Sequence, residues 1–98
     1  RFDWWNHYEE EPAVVVGHYW RRRANAWVEG KPDPWHTEAF HDWTGPNRNV
    51  FCVDYSVGRR FMERARGKAD NFEGGLAALR WPERELVFSD TEGTVPTR

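Results

Sequence analysis

Aliphatic side chains are scarce in this sequence: three Leu, nine Val and no Ile among 98 residues. With six Phe added, 18 residues make up the usual core-forming set, a share that points to disorder when it comes with high net charge and few aromatics. Neither condition holds, because 14 Lys plus Arg face 16 Asp plus Glu for a formal net charge of −2. Seven Trp and three Tyr supply the missing apolar surface, since one buried aromatic covers as much area as two or three small aliphatics. The chain must therefore fold around aromatic rings, and its length allows at most one domain with a small core. Near-neutral charge excludes a chain built chiefly to neutralise phosphate backbones, so no DNA partner is expected.

A single cysteine, Cys52, can form no internal disulfide, and no apolar run approaches the length needed to cross a bilayer. The expectation is a reducing, cytoplasmic setting without a membrane partner. The sequence opens at Arg1 with neither an initiator Met nor a signal peptide, and reads as part of a longer chain.

Residues 1 to 11 place Phe2, Trp5 and Tyr8 three apart, with Trp4 and Tyr8 four apart and polar residues between them, which predicts a short amphipathic helix ended by Pro12. Residues 13 to 16 are an apolar run without polar alternation, bounded by Pro12 and Gly17, as in a strand covered on both faces. From 19 to 49 the chain holds Gly30, Pro32, Pro34, Gly45 and Pro46 with no sustained period, and predicts a long excursion with at most one helical turn. A second buried strand is expected over 50 to 55, and a short helix over 59 to 65 between Gly58 and Gly67. Residues 75 to 81 and 85 to 89 predict a hairpin turning at Pro82, Glu83 and Arg84, and everything after Asp90 a frayed tail. No internal repeat is present.

One local pattern points to chemistry. The first strand ends in Gly17-His18, where glycine allows a sharp change of direction and histidine presents an imidazole at the strand's carboxyl edge, a place where sheets hold their sites. A histidine there can equally be a hydrogen-bonded structural residue.

Three stretches in order, VVVGHYW, then NVFCVDYSVG, then GGLAALRWPERELV, carry a resemblance. Together they resemble the C-terminal part of a calcineurin-like metallophosphoesterase. Within that superfamily they are most similar to bacterial serine/threonine protein phosphatases and symmetrical bis(5'-nucleosyl)-tetraphosphatases, and the match spans residues 12 to 89. The resemblance implies an α+β fold, the C-terminal portion of a β-sandwich flanked by helices, with 1–98 as part of one domain that here is mostly strands and long loops. It also implies a hydrolase with two divalent metal ions of Mn, Fe or Zn type, acting on a phosphorylated small molecule, a dinucleoside polyphosphate or a phosphoprotein. His18 falls at the position of a late metal-binding histidine, and neutral imidazole suits such ions. Where many members carry Gly-His-x-His, Trp20 stands in place of the second histidine, and the phosphatase and tetraphosphatase branch shows the same loss. The earlier family motifs Asp-x-His, Gly-Asp-x-x-Asp-Arg and Gly-Asn-His-Glu occur nowhere in the 98 residues, so the isolated chain is expected to be inactive.

Tyr55, beside Asp54 at the end of the second strand, is expected either to reach a substrate phosphate, as a tyrosine near this loop does in related phosphatases, or to cap the sheet edge with its hydroxyl in water. Arg21, Arg22 and Arg23 follow the GHYW stretch and are candidates, Arg21 first, for bidentate contact with a phosphate or phosphopeptide, against the alternative of a solvated charged face. His36 and His41, five apart, do not form a helical zinc pair. Cys52 reads as a small buried thiol. Two other functions compete: an aromatic binding module in which Trp20, Trp27, Trp35 and Trp43 line a groove, and a catalytically inactive relative that keeps only the scaffold.

Overall fold

A β-branched stretch and its parallel partner form the centre of the chain. In the computed structural model, which describes residues 2–23, 34–67 and 74–98, β1 (Val14–Val16) runs parallel to β2 (Val50–Cys52), with Val14, Val15 and Val16 opposite Val50, Phe51 and Cys52. Parallel pairing requires a crossover, and the excursion after residue 16 supplies it. Val53 N–H extends the ladder to the Val16 carbonyl at 3.0 Å, and the far edge of β2 is closed by a two-bond bridge between Val50 and Thr44.

All three residues of β2 are buried, and the alternation of its side chains divides the core in two. Phe51 faces Trp43, Tyr55, Leu86 and Phe88, while Val50 and Cys52 face Trp5 and Trp35. The aromatic reading of the composition thus holds in detail. Trp5 and Trp35 lie 4.3 Å apart between ring centroids, Trp43 packs on Phe51 at 5.1 Å and Tyr55 on Phe88 at 5.0 Å. Such pairs contribute about 0.5–1.5 kcal/mol each beyond the area they bury.

Helix α1 (Arg59–Ala65) coincides with its sequence expectation. It has no side-chain cap at its start, and it ends where Gly67 takes a φ of +87°, a conformation that costs other residues a Cβ clash. The hairpin follows as β3 (Ala77–Arg80) and β4 (Glu85–Phe88), antiparallel, with Leu79 opposite Leu86 and Ala77 opposite Phe88 on the core face.

Three expectations are corrected. The N-terminal segment makes only a 3-10 turn (Trp4–His7), anchored by the fully buried Trp5 rather than by helical hydrogen bonding. It is too short and too aromatic to nucleate an α-helix on its own. Strand β1 is covered on one face only, with Val15 44% exposed. The tail after Asp90 is ordered: β5 (Val95–Pro96) adds to β4, and Thr97 accepts a hydrogen bond from the Trp43 indole at 2.7 Å. The described residues therefore combine one α-helix with two small sheets, an α+β content, and none of their helices is long and apolar enough to cross a membrane.

Candidate functional site

Parallel pairing brings the carboxyl ends of β1 and β2 to one edge, and the segments leaving them are Gly17-His18 and Asp54-Tyr55-Ser56. The Asp54 carboxylate joins the two. Its Oδ2 accepts the His18 backbone N–H at 2.8 Å and its Oδ1 accepts that of Ser56 at 2.9 Å. Both donors have left-handed backbones, φ of +71° at His18 and +55° at Ser56, which expose their N–H groups toward one acceptor. The Asp54 carbonyl completes the junction by accepting the Arg21 N–H at 2.7 Å. The His18 imidazole stays in solvent, edge-on to Tyr19 at 5.6 Å.

The Gly-Gly pair reaches the same loop. Gly75 N–H donates to the Tyr55 carbonyl at 2.9 Å, and Gly74 N–H donates to the buried Glu63 of α1 at 3.0 Å. The approach is close: a Cβ on Gly74 would lie 2.4 Å from the Ser56 carbonyl oxygen, and one on Gly75 would lie 2.9 Å from the Arg23 guanidinium carbon. Arg23 in turn grips Asp90 through both terminal nitrogens, at 2.7 and 2.8 Å, and donates to the Gly74 carbonyl. That bidentate bond from Arg23, helped by the charges of Arg23 and Arg60, holds the Asp90 carboxyl below the usual carboxylate range against the opposing pull of burial.

Arg21 and Tyr55, expected to face a substrate, are both buried. The Arg21 guanidinium donates to the carbonyls of Asp42, Ala39 and Cys52 and to the Thr37 hydroxyl, and it packs on the Phe51 ring at 5.0 Å. It is 2% exposed, and acts as an internal tie between the excursion and β2. Tyr55, 1% exposed, donates its hydroxyl to the Phe40 carbonyl and lies inside the larger core cluster, so neither a phosphate contact nor a hydroxyl in water describes its place. Trp35 and Trp43 are 3% exposed and belong to the core, Trp27 lies outside the described residues, and Trp20 is the one described groove candidate that is partly open.

Among the described residues no three His, Cys, Asp or Glu side chains stand together in a way that could hold a metal ion. The Asp54 oxygens are already engaged with backbone N–H groups. The described residues thus do not build a metal centre by themselves; what they present at the strand edge is one exposed imidazole on a fixed loop. Asp54 and Arg23 were missed as organising residues, though Asp-x-Ser at a strand end is a recognisable signal for a side chain that bonds the N–H two residues on. Compared with protein-family models, with curated proteins and with solved structures, this chain matches none.

Proposed function

We propose that this chain is the C-terminal part of a calcineurin-like metallophosphoesterase, a metal-dependent hydrolase of phosphomonoesters or phosphoanhydrides of the protein phosphatase or dinucleoside-tetraphosphatase type. In this reading His18 contributes its imidazole to one of two divalent ions, and the remaining ligands belong to a part of the parent protein that carries the earlier motifs.

The observation that carries the reading is the junction at the strand edge. Two parallel strands end side by side, Asp54 at the end of β2 ties the loop that carries His18, and the Gly74-Gly75 pair closes on the Asp54-Tyr55-Ser56 loop. A metal ligand is best carried on a fixed backbone, and the Asp54 bond fixes the backbone of His18 without occupying the imidazole. The left-handed φ of His18 also supports the reading, because a non-glycine residue kept in that region at an exposed strand end is of the kind that clusters at functional sites.

The test is hydrolysis of an aryl phosphate by the parent polypeptide in the presence of Mn. Replacing His18 by Ala should lower turnover by about a hundredfold, the scale on which metal sites respond to lost ligand support. Undiminished turnover would remove His18 from the metal site. The 98-residue chain alone should show no turnover, and metal-dependent hydrolysis by it would overturn the fragment reading.

A further inference from the structure

Residues 94 to 98 lie extended between β4 and the segment 41 to 43. Val95 and Pro96 stand opposite Leu86 and Glu85, and Val95 packs on the larger core cluster. Thr97 donates its N–H and its hydroxyl to the Arg84 carbonyl, at 3.0 and 2.7 Å, and its oxygen accepts the Trp43 indole N–H at 2.7 Å. Arg98 donates its N–H to the His41 carbonyl at 3.0 Å and its Nε to the Asp42 carboxylate at 2.8 Å, while its carbonyl accepts from Arg48. A bound peptide is read in this way, with main-chain bonds along a strand edge that hold it and a few side-chain contacts that select it.

The walls of this groove have supports of their own. Asp42, 4% exposed, also accepts the Ala39 N–H on Oδ2 at 2.8 Å, and its carbonyl accepts the Arg21 guanidinium at 3.0 Å. Trp43 packs on Phe51, and Arg84 stacks on Trp43 at 4.5 Å and on Trp81 at 5.2 Å. The segment reaches the groove through residues 91 to 94, which are exposed, and Gly93 turns there at φ +76° with nothing within 4 Å of where a Cβ would stand. Asp90, held by Arg23 and Arg60, anchors the near end of that connection. From this arrangement we infer that the groove is an interaction site for an extended Val-Pro-Thr-Arg segment, and that its partner is a second copy of this chain, which lends residues 94 to 98 in exchange for those it receives. The pairing of buried Asp42 with Arg98 and the bonds at Thr97 set the sequence the groove accepts, and a second copy carries that sequence. Exchange replaces each contact by an identical one, so only the hinge and the entropy of association separate monomer from dimer, and the product closes as a twofold pair. The groove is remote in its chemistry from the strand edge at His18, and the inference does not rest on the hydrolase reading.

The probe is a fluorescein-labelled peptide of residues 93 to 98, titrated into the 98-residue protein and followed by anisotropy. In the unaltered chain the resident segment competes at the high effective concentration of a short tether. The double variant Thr97→Val, Arg98→Ala weakens that competitor and leaves the groove untouched, so the peptide should bind it about tenfold more tightly than it binds the unaltered chain. A variant that had merely lost its fold would bind more weakly, the opposite sign. The same peptide with Ala in place of its arginine should bind the double variant about tenfold less tightly than the natural sequence does. Equal affinity for the two chains, or indifference to the peptide's arginine, would overturn the site. For the exchange itself, deleting Glu92 and Gly93 shortens the turn back to β4 and should convert the chain to a dimer in light scattering, which excess unlabelled peptide returns to monomer. A deletion chain that stays monomeric, or a dimer that the peptide leaves intact, would overturn the exchange.

Discussion

The Asp54 carboxylate bonds the backbone of His18 across 36 positions of sequence, and with its other oxygen bonds Ser56 two residues on. One side chain thereby fixes the two loops that leave the parallel strands. Asp54→Ala should lower stability by about 1–2 kcal/mol, the range for hydrogen bonds to an ionised acceptor in a partly exposed setting, and Asp54→Asn by about half as much, because an amide oxygen can accept only part of the pair. Urea denaturation with an unchanged m-value reads this directly. An unmoved midpoint in Asp54→Ala would mean that the loops hold their shape without the carboxylate.

His18 itself pays a conformational penalty at φ +71° and gives little packing in return. Relief of left-handed strain is worth about 1–2 kcal/mol, offset by the greater chain entropy of glycine, about 0.5–1 kcal/mol. His18→Gly should accordingly be neutral to about 1 kcal/mol more stable while removing the one exposed imidazole of the strand edge. A loss of more than about 1 kcal/mol in thermal or urea unfolding would instead assign His18 a structural role through its contact with Tyr19.

Much of the local structure was legible in the sequence because its causes are local. The valine-rich run between Pro12 and Gly17, the helix between Gly58 and Gly67 and the hairpin about Pro82 each carry their own start and stop signals. What was illegible depends on partners far along the chain. Nothing near Arg21 announces that its guanidinium will meet carbonyls at residues 39, 42 and 52, and an arginine run reads the same whether solvated or buried. The tail is ordered because Thr97 meets Trp43, 54 residues away, and Arg98 meets Asp42, 56 away. At the strand edge the histidine stood out by its place after glycine, whereas Asp54, which fixes its backbone, gains that role only once β1 and β2 lie side by side.

The two glycines of the pair should differ in what they tolerate. A Cβ at Gly74 meets backbone, the Ser56 carbonyl oxygen at 2.4 Å, and the base of the Arg59 side chain at 2.9 Å, neither of which can yield without moving α1. A Cβ at Gly75 meets the far end of Arg23, which can swing away at the expense of its bonds to Asp90. Overpacking costs typically about 1–3 kcal/mol, so Gly74→Ala should fall at the top of that range and Gly75→Ala at the bottom. In an Arg23→Ala background the Gly75→Ala loss should shrink, which a double-mutant cycle measures. Equal losses at the two positions would show that the Ser56 loop is softer than its hydrogen bonds imply.

Acid should unfold this protein through Asp42 and Asp90. Burial alone would raise the Asp42 carboxyl, but the Ala39 N–H, the Arg98 guanidinium and the charge of His41 outweigh it and hold it below its ordinary value; Asp90 is held down chiefly by Arg23. A carboxyl whose folded pKa is depressed binds protons more readily when unfolded, so its contribution is complete above the unfolded value, about 3.9, and is lost as pH falls through the lower folded value. Urea midpoints should therefore be flat in this respect above about pH 5 and fall steeply below about pH 4. Arg23→Gln should lower stability at neutral pH and flatten the acid limb, because Asp90 then loses the chief partner that separates its two pKa values and keeps only Arg60. A variant with the same slope as the parent below pH 4 would show that the Arg23–Asp90 pair makes no net contribution to stability.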